Sequence, residues 1–162
     1  MTAKTAFTVD EWATLRNTPS LVAAATMLVG NSGLFGSFKE SFATAQTMFQ
    51  GLSSSNELIK SLSQREEISA AQEFVRSQVS FADAKNAPTK FTGLATAGGG
   101  AALQILKAKG SSDDVSQYKT WLADIADKIS QSAKEGGFLG FGGELISDGE
   151  EAFISALKQS LA

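Results

Sequence analysis

The stretch SDDVSQYKTWLADIADKISQSA, residues 112–133, has the clearest secondary-structure signal in this sequence of 162 residues. Its apolar residues recur every three or four positions over about five turns, which places their side chains on one face of an α-helix. They are Val115, Tyr118, Leu122, Ile125, Ile129 and Ala133. Glycines at positions 110, 136 and 137 flank the stretch and favour helix ends. The stretch therefore predicts a long amphipathic helix with one buried face.

Four other segments show the same periodicity, and each begins just after a serine, namely Ser37, Ser54, Ser63 or Ser147. The apolar residues of these segments are Phe38, Phe42, Ala45 and Phe49; Leu58, Ile59 and Leu62; Ile68, Ala71, Val75 and Val79; and Phe153, Ile154, Leu157 and Leu161. Each segment predicts a helix that packs through one face.

Serine or threonine precedes glutamate by three positions more often than chance predicts. Six of the ten glutamates have such a partner, whereas random placement gives about two; the spacing is that of the capping box, in which a hydroxyl and a carboxylate bind free amides at a helix start. The pairs are Thr8–Glu11, Ser37–Glu40, Ser54–Glu57, Ser63–Glu66, Ser132–Glu135 and Ser147–Glu150. The fifth pair falls inside the long helix, and the other five predict helix starts.

The N-terminal third contains the most apolar segment, residues 21–29. A first helix is predicted to begin at Thr8 and to include Trp12 and Leu15. Proline fits the first turn of a helix, so Pro19 predicts the start of a second helix with Thr18 as its cap. Because this second helix is apolar on nearly every side, we expect it to be central and buried.

Three consecutive glycines, residues 98–100, interrupt a helical pattern that runs over residues 91–109. Inside a helix they cost about 3 kcal/mol relative to alanines. Either the helix begins near Ala101, or the glycines lie within it and let another backbone approach closely. The second interpretation is favoured.

These segments amount to about seven helices with no alternation of strands and helices, which is typical of an all-α bundle. No linker is long enough to divide the chain, so residues 1–162 are expected to form a single helical domain. Residues 138–146 are the one plausible β segment. They are predicted to form a Gly/Phe-rich loop or a small β-hairpin before the last helix.

The sequence contains no histidine and no cysteine. Structural zinc sites, haem ligated by His or Cys, iron–sulfur clusters and disulfides need those residues, as do Ser-His-Asp triads and cysteine nucleophiles. A phosphate-binding loop fails as well, because Gly99 stands where its lysine is required. We therefore predict no cofactor and no metal.

Carboxylates offer the remaining route to catalysis. Glu66, Glu67 and Glu73 fall within one predicted helix, and Asp124 and Asp127 within another. Oxygen ligands can hold a metal, yet dimetal bundles complete such a site with histidine. We expect both groups to be solvated helix faces.

Charge and hydropathy restrict the partners and the location. The net charge is −3, from 14 basic and 17 acidic residues, so the basic field used in nucleic-acid binding is missing. The N-terminus has no apolar signal-peptide core, and the longest apolar run is too short to span a bilayer. We expect a cytoplasmic protein with no membrane span and no nucleic-acid partner.

One group of aromatic residues has no obvious place in the helical pattern. Phe138, Leu139 and Phe141 stand among glycines between two predicted helices, and Leu34 and Phe35 occupy a similar glycine-rich segment. They are interpreted either as a lid on the core or as a contact surface for a partner or ligand.

Three terminal motifs are FTVDEW at residues 7–12, KEGGFLGFGG at 134–143 and ISDGE at 146–150. In these motifs the chain resembles a group of small, uncharacterised bacterial proteins with an N-terminal F-T-x-x-E-W and a C-terminal K-E-G-G-F-L-G-F-G-G motif. The resemblance implies a helical bacterial domain. It implies no activity, ligand or catalytic residue.

Three functions are compatible with these observations. The favoured one is a non-enzymatic cytosolic helical domain that contacts another protein or a second copy of itself. The alternative is a bundle that binds a small apolar ligand or lipid in a cavity lined by Phe and Ala. A carboxylate-based enzyme is the third.

Overall fold

A computed structural model of the chain describes residues 4–30, 48, 50–79, 85–135 and 148–162, with the backbone alone at 132–135. The described residues form six α-helices and two short 3-10 helices, and no strand occurs among them. The α-helices are α1 (Val9–Gly30), α2 (Glu57–Leu62), α3 (Arg65–Ser77), α4 (Ala87–Lys109), α5 (Ser112–Glu135) and α6 (Asp148–Ser160). The 3-10 helices are Lys4–Ala6 and Gln50–Ser53.

The all-α class is confirmed, and the helices share one hydrophobic core. The described residues contain six α-helices and not about seven, because the two helices predicted at the N-terminus are one and the helix predicted after Ser37 is not among the described elements. The predicted loop or β-hairpin at 138–146 and the segment after Ser37, except for Met48 and Gln50, lie outside the described residues.

Helix α1 continues through Pro19, so the predicted break is wrong. Thr18 is not a cap, because its hydroxyl donates to the Thr14 carbonyl at 2.8 Å within the helix. Proline has no N–H for the Leu15 carbonyl four residues earlier. The buried hydroxyl of Tyr118 donates to that carbonyl instead, at 2.8 Å. This contact removes the cost of a buried acceptor with no partner, and the helix remains intact.

The central position predicted for residues 21–29 is confirmed in its first half. Helix α1 contacts α3, α4, α5 and α6, and Val22, Ala23 and Ala25 are completely buried. The predicted face of α5 packs against the same core through Tyr118, Leu122, Ile125 and Ile129. Full burial of one such large side chain stabilises the fold by about 1.5–3 kcal/mol. The apolar periodicity thus located the core correctly.

The three glycines lie inside α4, as the favoured interpretation predicted. A Cβ atom at Gly98 would lie 2.9 Å from the Thr18 Oγ1 atom on α1. A Cβ atom at Gly99 would lie 3.2 Å from Leu161 Cδ2 and from Ser160 Oγ, at the end of α6. The glycines therefore let α4 pack closely against two neighbours at the same level of the bundle.

The capping-box prediction is confirmed at the start of α1. The Thr8 amide donates to the Glu11 carboxylate at 2.7 Å, and the Glu11 amide donates to the Thr8 hydroxyl at 3.2 Å. Lys109, at the end of α4, donates to the same carboxylate at 2.5 Å. These hydrogen bonds, with that from Lys109 first, lower the pKa of Glu11.

Two other predicted caps are wrong. Helix α2 is capped by Asn56, whose side-chain oxygen accepts from the Ile59 amide at 3.1 Å, and not by Ser54. Helix α3 follows Gln64, which makes no side-chain cap, while Ser63 is the C-terminal cap residue of α2. The remaining predicted cap residues, Ser37 and Ser147, lie outside the described residues.

Candidate functional site

The predicted contact residues cannot be placed. Phe138, Leu139, Phe141, Leu34 and Phe35 all lie outside the described residues. Their assignment as a lid or a contact surface therefore stays a prediction.

The carboxylates singled out on α3 do not converge on a site. Glu67 accepts a hydrogen bond from Lys4 and lies 3.8 Å from Arg16. Glu66 and Glu73 are exposed to solvent. Across the part of the chain that the structure describes, no three acidic residues group closely enough to hold a metal ion. The carboxylate of Glu67 serves to hold the N-terminal 3-10 helix and α1 against α3.

A pocket opens between the Gln50–Ser53 3-10 helix, α2 and α5, with a volume of about 160 Å³. Its walls combine polar, charged and apolar side chains. They are formed by Gln50, Gly51, Ser54, Ile59, Gln117, Thr120, Trp121, Asp124, Ile125 and Lys128. This pocket is the candidate functional site, and we call it the α2–α5 pocket.

Helix α5 forms one side of the α2–α5 pocket through a stripe at positions 117, 121, 124 and 128. Residues three and four positions apart in a helix share a face. The stripe lies beside the core stripe that contains Tyr118 and Ile125, so one edge of it is fixed by packing. The Trp121 ring meets the buried Tyr118 ring edge to face, with the ring centres 5.9 Å apart. This contact restricts the position of the indole in the wall.

Helix α2 is attached to the beginning of α5 by one buried amide. The Nδ2 atom of Asn56 donates to Asp113 Oδ2 at 3.0 Å and to Asp114 Oδ1 at 2.9 Å. The oxygen of the same amide caps α2 by accepting from the Ile59 amide. One side chain therefore determines both where α2 begins and how it lies against α5, and these two helices are the walls of the pocket.

The beginning of α5 has a cap that the sequence reading missed. The Ser111 amide donates to Asp114 Oδ2 at 2.8 Å, and the Asp114 amide donates to the Ser111 hydroxyl at 3.0 Å. This is the capping-box geometry with aspartate in place of glutamate. A search for serine three residues before aspartate, not only before glutamate, finds it.

The third wall approaches α2 so closely that it requires glycine. A Cβ atom at Gly51 would lie 2.0 Å from the Ser63 hydroxyl and 3.1 Å from Ile59 Cγ2. At Gly51 this wall is therefore backbone without a side chain. Ile59 and Ile125, both buried, add apolar surface to the lining.

Most polar side chains of the pocket donate a hydrogen bond to another group of the protein. Lys128 donates to Gln50 Oε1 at 2.5 Å. The Gln117 amide nitrogen lies 3.5 Å from Asp113 Oδ1, and the Thr120 hydroxyl donates to the Ser116 carbonyl at 3.1 Å. The indole nitrogen of Trp121 is buried and has no acceptor among the described residues.

Asp124 differs from the other polar residues of the pocket. Its carboxylate is exposed, and no described residue makes an ion pair or a side-chain hydrogen bond with it. The expectation that Asp124 and Asp127 are solvated holds for both side chains. Asp124 nevertheless stands in the wall of the pocket, and sequence periodicity alone did not reveal that relation.

The volume of the pocket limits the size of the group that can bind in it. A cavity of about 150 Å³ holds a benzene molecule, whereas pockets for drug-sized ligands measure about 300–1,000 Å³. A volume of about 160 Å³ accommodates one group the size of an amino-acid side chain.

Comparisons with known proteins gave no match, whether to a family model, to a curated protein or to a solved structure. The resemblance of the terminal motifs to small bacterial proteins therefore stays a prediction. In the part of the chain that the structure describes, no helix is both long enough and apolar enough to cross a membrane.

Proposed function

We propose that the protein is a non-enzymatic helical binding domain that contacts another protein through the α2–α5 pocket. The observation that carries the proposal is an open pocket sized for one side chain, with an aromatic wall and a carboxylate, Asp124, that has no partner among the described residues. Protein interfaces concentrate binding energy in a few side chains that fill such pockets. Trp121 supplies the type of residue that is enriched at these points.

The other two functions have less support. A site for an apolar ligand was expected to be lined by Phe and Ala, and the α2–α5 pocket contains neither. A carboxylate enzyme of the glycosidase type uses a pair of acidic groups across its substrate. The α2–α5 pocket contributes one, at Asp124.

The proposal is tested by selecting peptides from a displayed random library against the whole protein. Selected peptides are expected to bind with micromolar Kd and to lose at least tenfold in affinity with Thr120→Phe, which places a ring in the pocket. The matched control is Ser116→Phe, one turn earlier on α5, exposed and not part of the lining. It is expected to change Kd less than twofold.

Two outcomes contradict the proposal. One is a set of peptides that binds Thr120→Phe and the wild-type protein equally well. The other is a dimer in sedimentation experiments that Thr120→Phe dissociates, because the pocket would then serve self-association and not a different protein. Circular dichroism and thermal unfolding of both variants establish that they are folded.

A further inference from the structure

We propose, on the basis of the proposed function above, that the group entering the α2–α5 pocket is an arginine side chain of the partner protein. Its guanidinium would pair with the Asp124 carboxylate and lie against the indole of Trp121, while its methylene groups contact the apolar part of the lining. The partner would present this arginine on an exposed, basic segment.

Several hydrogen-bond acceptors in the lining have no donor among the described residues, and they favour an incoming group that donates. Lys128, Gln117 and Thr120 each donate to an acceptor of the protein itself, whereas the buried Trp121 N–H has no acceptor among the described residues. The oxygens of Asp124 accept nothing from the described residues, and Thr120 Oγ1 and the Gln117 carbonyl retain acceptor capacity. A guanidinium has five N–H donors and no acceptor, so it matches these unused acceptors, although it offers nothing to the Trp121 N–H.

The lining has one negative charge, at Asp124, and one positive charge, at Lys128. Asp124 is the carboxylate of the pocket, and an acidic group placed there would be repelled by it. The ammonium of Lys128 is held against Gln50 Oε1 at 2.5 Å, on the side of the 3-10 helix. A cation therefore gains an ion pair at Asp124 that an uncharged group of the same shape does not gain.

The arrangement on α5 favours arginine over lysine. Trp121 and Asp124 are three residues apart, so the indole and the carboxylate lie on the same side of the helix. A planar guanidinium can stack on an aromatic ring and bind a carboxylate at the same time, whereas an ammonium acts as a point charge. Ile59 and Ile125 provide apolar contact for the arginine methylenes.

The test uses N-acetyl-arginine amide as the probe and N-acetyl-citrulline amide as its uncharged analogue of nearly the same shape. Binding to the full chain is followed by proton–nitrogen NMR through the Trp121 indole signal and the amides of residues 117–128. The arginine probe is expected to bind at least tenfold more tightly than the citrulline probe. N-acetyl-lysine amide is expected to bind more weakly than the arginine probe.

Two variants distinguish the effect of the Asp124 carboxylate on probe affinity from the effect of the overall charge of α5. Asp124→Asn is expected to lower the affinity of the arginine probe at least tenfold, to the level of the citrulline probe. Asp127→Asn removes an exposed carboxylate three residues further on, outside the lining. It is expected to change the affinity less than twofold.

The arginine proposal and the proposed function fail in different ways. Equal binding of the arginine and citrulline probes, or an Asp124→Asn variant that binds the arginine probe like the wild type, overturns the arginine proposal. So does tighter binding of N-acetyl-glutamate amide. In those cases selected peptides that bind Thr120→Phe more weakly than the wild-type protein would still support the proposed function. If neither probes nor selected peptides shift the pocket signals, both proposals fail.

Discussion

The Tyr118 hydroxyl on α5 donates to the Leu15 carbonyl on α1 at 2.8 Å, across 103 positions of sequence. The Leu15 carbonyl would otherwise lack its helical donor, because residue 19 is proline. Tyr118 is completely buried, and this burial raises the pKa of its phenol. The hydroxyl therefore keeps its proton, and remains a donor, around neutral pH.

The first prediction concerns this hydrogen bond. Tyr118→Phe is expected to destabilise the protein by about 1–3 kcal/mol, because a buried carbonyl loses its partner. In a Pro19→Ala background the same change is expected to cost at least about 1 kcal/mol less, because the substituted alanine has an N–H for that carbonyl. Urea unfolding of the wild type, both single variants and the double variant measures the difference. An equal cost in both backgrounds would contradict this explanation of the continuous helix.

The second prediction compares two glycines of α4. Gly93→Ala is expected to stabilise the protein by about 0.5–1 kcal/mol, since alanine is the better helix former and no other atom of the described residues, apart from the adjacent helix backbone, lies within 4 Å of the added methyl. Gly98→Ala is expected to destabilise it by about 1–3 kcal/mol through overpacking against Thr18. Thermal unfolding gives both values.

A second-site variant tests the reason given for Gly98. Thr18→Ala removes the hydroxyl that lies 2.9 Å from the added methyl, so Gly98→Ala is expected to cost less in that background. If its cost is unchanged, the contact with Thr18 is not the cause.

The third prediction separates the two roles of Asn56. Asn56→Asp retains an oxygen that caps α2 but replaces the donor that binds Asp113 and Asp114. It is expected to destabilise the protein by at least about 2 kcal/mol at neutral pH, because three carboxylates then face one another. The loss is expected to diminish as the pH falls and carboxylates become protonated. Urea unfolding at several pH values measures it, and a loss independent of pH would contradict it.

The fourth prediction concerns the acid stability of the capping box. The hydrogen bonds from Lys109 and Thr8 lower the pKa of Glu11 below its ordinary value of 4.5. A carboxyl with a lowered folded-state pKa stabilises the fold above its unfolded pKa, and this contribution disappears as the pH falls through the folded pKa. Glu11→Gln, which retains capping ability, is therefore expected to reduce the dependence of Tm on pH below about pH 5.

Lys109→Met is expected to change this acid dependence in the same direction, because the Lys109 hydrogen bond is the largest cause of the shift. Thermal unfolding between about pH 3 and pH 7 compares the three proteins. If the slope of Tm against pH is the same in all of them, the role assigned to Glu11 is wrong.

Local periodicity was sufficient for the helices that have one apolar face. Helices α3 and α5 bury most of the predicted residues, with Ile68, Val75, Tyr118 and Leu122 among them, because a helix facing a core must repeat its apolar residues every three or four positions. The two-helix reading of α1 failed for a physical reason. Proline stops a helix when the freed carbonyl stays unbound, and the donor that binds it here is distant in sequence.

The pocket was not predictable in the same way. Its walls combine residues 58 to 78 positions apart, so no local pattern brings Gln50 or Ile59 beside Trp121. The sequence placed Asp124 on a helix face. The spacing of residues within one helix does not predict which other elements lie beside that face. The position of α2 against α5 depends on Asn56, whose amide connects the two helices through contacts that sequence patterns do not encode.

The hydrogen bond between Leu15 and Tyr118 also has a consequence for protein synthesis. Ribosomes add about 5–20 residues per second, so roughly 5–20 s pass between the synthesis of Leu15 and that of its partner. The apolar second half of α1 is made at the beginning of that interval, whereas α4 is completed only at Lys109 and α5 and α6 follow later. The nascent chain thus carries a hydrophobic segment that α4 cannot cover until Lys109 has been made, and we expect chaperones that shield this segment to raise the yield in cells.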